Sequence, residues 1–173
     1  MTAGVILLEV DDVSACEVRG SRVSSREFAA SFPRDEDRDA IDAWDRGALA
    51  FLIVDRGVVV GTCGTHGPPD ADGSVEFGWG LVEDARGRGI GSCAVAQMLA
   101  EVRRRHPVAR LVAHTEWRAA GEVVVADSPA SESILVRLGF TGDPPPTVPA
   151  QRAWRLPAGP VTATSPGTSP RTA

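Results

Sequence analysis

The chain has 173 residues, enough for one domain with a sizeable core and too few for two ordinary ones. Its 18 basic and 23 acidic residues leave a net charge of -5, which argues against a nucleic-acid binder despite the local run Arg103-Arg104-Arg105. Cys16, Cys63 and Cys93 are widely spaced, with no Cys-x-x-Cys or His partner spacing, so reduced thiols are expected, with neither a disulfide framework nor a metal site.

In chain order, Val5 to Leu8 is the longest apolar run near the start. It is too short for a signal sequence or a membrane span and nothing basic precedes it, so a cytoplasmic protein with no membrane role is expected. Val5 to Val10 and Cys16 to Val18 read as an opening strand with a bulge. Ser25 to Phe32 and Arg38 to Trp44 read as two short helices separated by Pro33 and a charged turn. Ala48 to Asp55 and Val58 to Gly64 form a hairpin around Arg56-Gly57, followed by the loop Thr65 to Asp70. Val75 to Val82 then alternates large apolar residues with small or polar ones, the period of a half-buried strand. Val75, Phe77, Trp79 and Leu81 fall on a core face, and Glu76, Gly78 and Gly80 on a face where two missing side chains leave a groove.

After this strand comes Arg86-Gly87-Arg88-Gly89-Ile90-Gly91, and after it a helix whose apolar face is Ala94, Val95, Met98, Leu99 and Val102. A glycine-rich strand-to-helix turn lets backbone approach a ligand, and the first N–H groups of the helix suit a phosphate. A tight turn with no ligand has the same local pattern. No Gly-Lys-Ser/Thr follows and the chain contains no lysine, which removes the nucleoside-triphosphate loop, and the third glycine is misplaced for the dinucleotide fingerprint. Ala109 to Thr115 is a further strand, and Val123 to Val125 is either a short strand or loop cover. A late helix ends at Gly139, Arg152 to Leu156 is a last strand, and the Pro/Ser/Thr-rich stretch after Pro157 has no apolar period. The expected organisation is a single domain over 1–156 and a disordered tail over 157–173.

Arg86, Gly89 and Gly91 fill an Arg/Gln-x-x-Gly-x-Gly frame that resembles the acyl-coenzyme A motif of the GNAT superfamily of N-acyltransferases. Asp127 to Phe140 resembles that family's late helix, with Ala130-Ser131 and Leu138-Gly139-Phe140 at its marked positions. The frame from Glu76 to Arg86 is most similar to the branch that acetylates protein N-termini, including those of ribosomal proteins, and related small amines. The resemblance implies an α/β fold whose mixed central sheet has splayed middle strands and flanking helices. It implies acetyl-CoA as acyl donor and direct attack by a primary amine, either a peptide N-terminus or a small molecule. The pantetheine would pair with backbone near Leu81 and Val82, and the pyrophosphate would meet Arg86, Gly87, Arg88, Gly89, Ile90, Gly91 and Ser92.

By the same resemblance Glu76 is the candidate base, with His114 and Glu116 as second choice. Many family members use a tyrosine on the late helix as the acid, but this chain has no tyrosine and Leu135 stands where it would be expected. Ser131 is the candidate substitute, and is equally a helix-start hydroxyl; Asp127 replaces an asparagine that would contact the cofactor. These departures leave open an acyl-CoA-binding regulatory module without turnover. The acidic run Asp35, Glu36, Asp37, Asp39, Asp42 and Asp45 is either a cation-attracting acceptor wall or a solvated helix start. Self-association is common among resembling proteins, so a homodimer stays open.

Overall fold

The structure is a computed structural model that describes residues 4–20 and 24–156; the expectation for 157–173 lies outside the described residues. Among the described residues four α-helices pack on a mixed sheet of nine strands. The strands are β1 (Val5–Glu9), β2 (Glu27–Phe28), β3 (Ala50–Asp55), β4 (Val58–Thr65), β5 (Ser74–Leu81), β6 (Arg110–Ala120), β7 (Val123–Ala126), β8 (Thr141–Gly142) and β9 (Ala150–Leu156). The helices are α1 (Asp12–Val18), α2 (Asp35–Asp45), α3 (Ile90–Arg105) and α4 (Pro129–Arg137). Strand order is β1-β3-β4-β5-β6-β9-β8, with β2 beside β4 and β7 beside β6.

The strongly patterned segments fold as expected. Arg56 and Gly57 both have positive φ, 50° and 88°, the backbone a two-residue hairpin needs to match strand twist. The α3 stripe Ala94, Val95, Met98, Leu99 and Val102 is fully buried, each larger side chain contributing about 1.5–3 kcal/mol by leaving water. The same core takes Ile41, Leu52, Ile53, Phe77, Leu111 and Leu135. Gly139 has φ 87° just past α4, and Val123–Ala126 is a strand rather than loop cover.

Two early assignments are corrected. Cys16 to Val18 belongs to helix α1, because Asp11 and Ser14 cap its start reciprocally at 2.8 Å in each direction and close the first turn. Ser25 to Phe32 is not a helix. Its backbone is taken by other partners: the Ala29 N–H donates to the Val59 carbonyl at 3.0 Å, and the Ser25 N–H to buried Glu17 at 2.9 Å. Phe28 meets Phe32 edge to face at 5.0 Å, and Glu27–Phe28 runs parallel to β4. The two-residue strand β8 has no periodic signal, and it places β9 inside the sheet, between β6 and β8.

Candidate active site

The site begins where the sheet opens. β5 and β6 pair in parallel only at Ser74–Arg110, Val75–Leu111 and Glu76–Val112. Beyond this point β6 is held by β9 from Leu111 to Trp117, whereas residues 77–81 of β5 pair only with β4. In an antiparallel ladder alternate residues turn their backbone groups to the neighbour. Here the even positions turn to β4: Glu76 accepts from the His66 N–H at 2.9 Å, and the Val82 N–H donates to Val60 at 2.9 Å. The odd positions Trp79 and Leu81 therefore direct N–H and C=O into the gap left by β6.

A cavity of about 670 Å³ fills that gap. At its head is the N-terminus of α3. Gly89 is the N-cap, in left-handed backbone at φ 78°, which a residue without Cβ adopts cheaply. Among the described residues no side chain caps the helix, and no acidic residue lies in its first turn. The first ladder bond runs from Cys93 to Gly89 at 3.1 Å, so the amides of Ile90, Gly91 and Ser92 precede the ladder. Gly91 makes room at the same place: a Cβ there would lie 3.3 Å from Ile134, 3.6 Å from Leu81 and 3.7 Å from Trp79 Nε1. Amides of an uncapped helix end, a cradle that any side chain would narrow, and the guanidiniums of Arg86 and Arg137 on its walls fit the pyrophosphate of an acyl-CoA.

Leu81, Arg86, Gly87, Gly89, Ile90, Gly91, Ser92, Asp127 and Ser131 all line this cavity. Two expected contacts are placed elsewhere. The Val82 amide is spent on Val60, and Arg88 turns away to Asp55 at 2.6 Å. Asp127 is held by Arg118 at 2.5 Å, and Ser128 rather than Asp127 caps α4, accepting from the Ser131 N–H. The Ser131 and Ser128 hydroxyls lie 2.8 Å apart, so Ser131 faces the cavity and serves the helix start together. Leu135 is fully buried in the core. Arg34 and Arg137 are on the cavity wall without having been singled out from sequence; Arg137 donates to Ser92 Oγ at 3.2 Å. Gly78 and Gly80 do not leave an open groove: a Cβ at Gly78 would meet His66 Nε2 at 2.9 Å, and one at Gly80 would meet Arg34 Nη2 at 2.3 Å.

Glu76 sits at the point where β5 and β6 part. His114 Nδ1 lies 2.8 Å from its Oε1 and His66 Nδ1 3.2 Å from the same atom. An ionised carboxylate only accepts, so the His114 ring turns an Nδ1–H to Glu76 and keeps Nε2 as a proton acceptor while neutral, with His66 standing at ion-pair distance from the same oxygen. Glu116 does not join them, being bonded by Gln151 at 2.7 Å. His66 was legible only as part of a loop; its signal is the β4–β5 register, which sets position 66 opposite 76.

A second cavity of about 490 Å³ lies between α2, β4 and β5, and shares Trp79, Gly80 and Glu36 with the first. Of the acidic run, only Glu36 and Asp39 face it. Asp42 and Asp45 bind Arg19, Asp35 binds Arg38, and Asp37 is buried against Arg34. Cys63 also lines it, with burial pushing its thiol pKa far up, which keeps it protonated and poorly nucleophilic.

Residues 8–141 match the acetyltransferase (GNAT) domain family. No curated protein matches the chain by sequence. Among solved structures, the chain is similar to a ribosomal L7/L12 alpha-N-protein acetyltransferase in complex with coenzyme A (TM-score 0.59, 16% identity, covering 90% of this chain and 94% of that one). It is similar to an acetyltransferase from Salmonella typhimurium that modifies the N-terminal serine of L7/L12 (0.58, 16%, 90% and 95%). It is also similar to a microcin C7 self-immunity acetyltransferase in complex with acetyl-CoA and AMP (0.56, 15%, 90% and 93%). With a splayed sheet, an uncapped helix N-terminus at its mouth and a family match over most of its length, the chain belongs to the GNAT acetyltransferases, for which acetyl-CoA is the acyl donor.

Proposed function

We propose that this protein moves the acetyl group of acetyl-CoA to the α-amine of a peptide N-terminus or of a small molecule, by direct attack with both substrates bound. The observation that carries this reading is Glu76, paired with His114 at the place where β5 and β6 part, with His66, a wall residue of the smaller cavity, beside it. Amine attack needs a neutral nitrogen. Deprotonating a lysine-type amine of pKa about 10.4 costs roughly 4–5 kcal/mol at neutral pH, whereas an α-amine near 7.7–8.0 costs only about 1 kcal/mol. A half-exposed carboxylate with two imidazoles suffices for the smaller task, taking the amine proton directly or through a water. Glu36 and Asp39 on the acceptor wall favour a cationic substrate over an anionic one.

The donor is held by amides of Ile90, Gly91 and Ser92, by Arg86 and Arg137, and by the backbone of Trp79 and Leu81, where an N–H is aimed at the developing oxyanion. Residues 1–156 are read as a single catalytic domain, and the three widely spaced cysteines suit the reducing cytoplasm. The test is thiol release from acetyl-CoA with N-terminal peptides, free amino acids, polyamines and aminoglycosides as acceptors. The expected result is acceptor-dependent release, strongest with an α-amine, and a fall of about 10²-fold or more in kcat for Glu76→Gln at unchanged acetyl-CoA affinity. Binding without release for any acceptor would favour a regulatory acyl-CoA-binding module instead.

A further inference from the structure

Arg34 lines the larger cavity and lies against Gly80, a residue that both cavities share. It stands at the N-cap of α2, with Nε donating to Asp37 Oδ2 at 2.9 Å, Nη2 to Asp37 Oδ1 at 2.8 Å and Nη1 to the Leu81 carbonyl at 3.3 Å. Asp37 is fully buried and is itself fixed by the Arg34 N–H at 2.9 Å and by Thr62 Oγ1 at 2.7 Å. The guanidinium lies over Gly80 so closely that any Cβ there would collide with it. Gly80 is the residue between Trp79 and Leu81, whose backbone faces the gap. Three of the five guanidinium N–H groups are used, leaving one on each terminal nitrogen without an acceptor among the described residues. A planar cation is thus held rigidly, with directional donors to spare, beside the strand edge along which a thioester arm would lie.

The chemistry at that place lacks a group. Attack of the amine nitrogen on the thioester carbon forms the C–N bond, and collapse breaks the C–S bond with its electron pair remaining on sulfur. A proton donor would normally meet that sulfur. This chain has no tyrosine, Leu135 is buried, and the Ser131 hydroxyl is engaged with Ser128. We propose that Arg34 is the catalytic residue for the leaving group, stabilising the departing CoA thiolate as an anion rather than protonating it, while the amine proton goes to the Glu76 cluster. This inference rests on the reading of the larger cavity as the acetyl-CoA cleft. Other charged groups near Arg34 are Asp37 and Glu36 on α2 and Arg86, which donates to the same Leu81 carbonyl at 3.1 Å; Glu76 and His66 lie further along β5 and β4.

The test needs no turnover. The thiolate absorbance of CoA bound to the unaltered protein is followed from pH 6.5 to 10, beside calorimetric affinities for CoA and for desulfo-CoA, which lacks the sulfur. The expected result is a bound thiol that titrates about one pH unit or more below the free one, equivalent to about tenfold tighter binding of thiolate than thiol. In Arg34→Gln the shift disappears while desulfo-CoA affinity is retained; Arg86→Gln weakens both ligands alike. A thiol that titrates at or above its free midpoint in the unaltered protein overturns the role of Arg34, whether or not the variant folds. Failure of both CoA and desulfo-CoA to bind overturns the acetyl-CoA cleft itself.

Discussion

Replacing Gly91 tests the donor cradle in graded steps. In Gly91→Ala the new Cβ meets Ile134 Cδ1 at 3.3 Å, with Leu81 and Trp79 at 3.6 and 3.7 Å, so the α4 side chain must yield by a few tenths of an ångström. In Gly91→Val two further methyls enter the same space, and overpacking of this kind costs about 1–3 kcal/mol. The cheapest relief is to move the first turn of α3 away from β5 and α4, which displaces the amides of Ile90, Gly91 and Ser92 from the ligand. Each hydrogen bond to a charged group is worth about 1.5–3 kcal/mol, so losing one weakens binding by about 10- to 150-fold. Calorimetric titration with acetyl-CoA is expected to show less than about tenfold loss for alanine and at least tenfold for valine. A thermal melt checks that the fold survives. A folded Gly91→Val protein that binds acetyl-CoA as tightly as the unaltered one would refute the placement of the pyrophosphate at this helix end.

Two further variants probe what holds the site in place. Glu132 on α4 accepts from Thr115 Oγ1 at 2.9 Å, Trp117 Nε1 at 2.7 Å and Arg152 Nη1 at 2.9 Å, tying the late helix to β6 and β9. Arg152 also lies 4.2 Å from the Trp154 ring centre. Glu132→Ala is expected to cost about 2–3 kcal/mol in urea unfolding, since it strands three donors; a loss below about 0.5 kcal/mol would show that the network is idle. In the last turns of α3, hydrogen bonds from Arg104 and then Arg105 hold the Glu101 carboxyl down at about 2 from a usual 4.5. A carboxyl depressed in the folded state stabilises above its unfolded pKa and loses that contribution as pH falls through the folded one. Glu101→Gln should therefore lower the Tm slightly at pH 6, by less than about 1 kcal/mol equivalent because the pair is at the surface. That offset should shrink between pH 4.5 and about 2; an equal offset at pH 6 and pH 3 would contradict the assignment.

Legibility in the sequence followed the strength of local pattern. Sixteen residues with a continuous apolar face made α3 plain, and Arg56-Gly57 between two apolar runs made the β3–β4 hairpin plain. The alternation at 75–82 gave both the strand and the side on which Glu76 lies. Cys16 to Val18 reads as strand because the seven-residue α1 that contains it has too few apolar residues for a helical period; its Asp11-to-Ser14 box is the local signal of the helix. Ser25 to Phe32 fails as a helix for a non-local reason, the parallel ladder with β4. In the site, the glycine-rich turn was legible because amides and missing side chains are local properties. Arg34, Arg137 and His66 were not, because each acts on a partner far along the chain: Arg34 on Leu81, Arg137 on Ser92 and His66 on Glu76. The acidic run misled in part, since Asp37, Asp42 and Asp45 are consumed by arginines that only the fold brings near.

The measurement that bears most directly on the central claim is an amide NMR titration of the labelled protein with acetyl-CoA. The account predicts that Leu81, Gly89, Ile90, Gly91 and Ser92 shift together and saturate at one affinity, with Trp79 shifting at the same point of the titration. Binding that leaves these amides unmoved, or no binding at all, would contradict it.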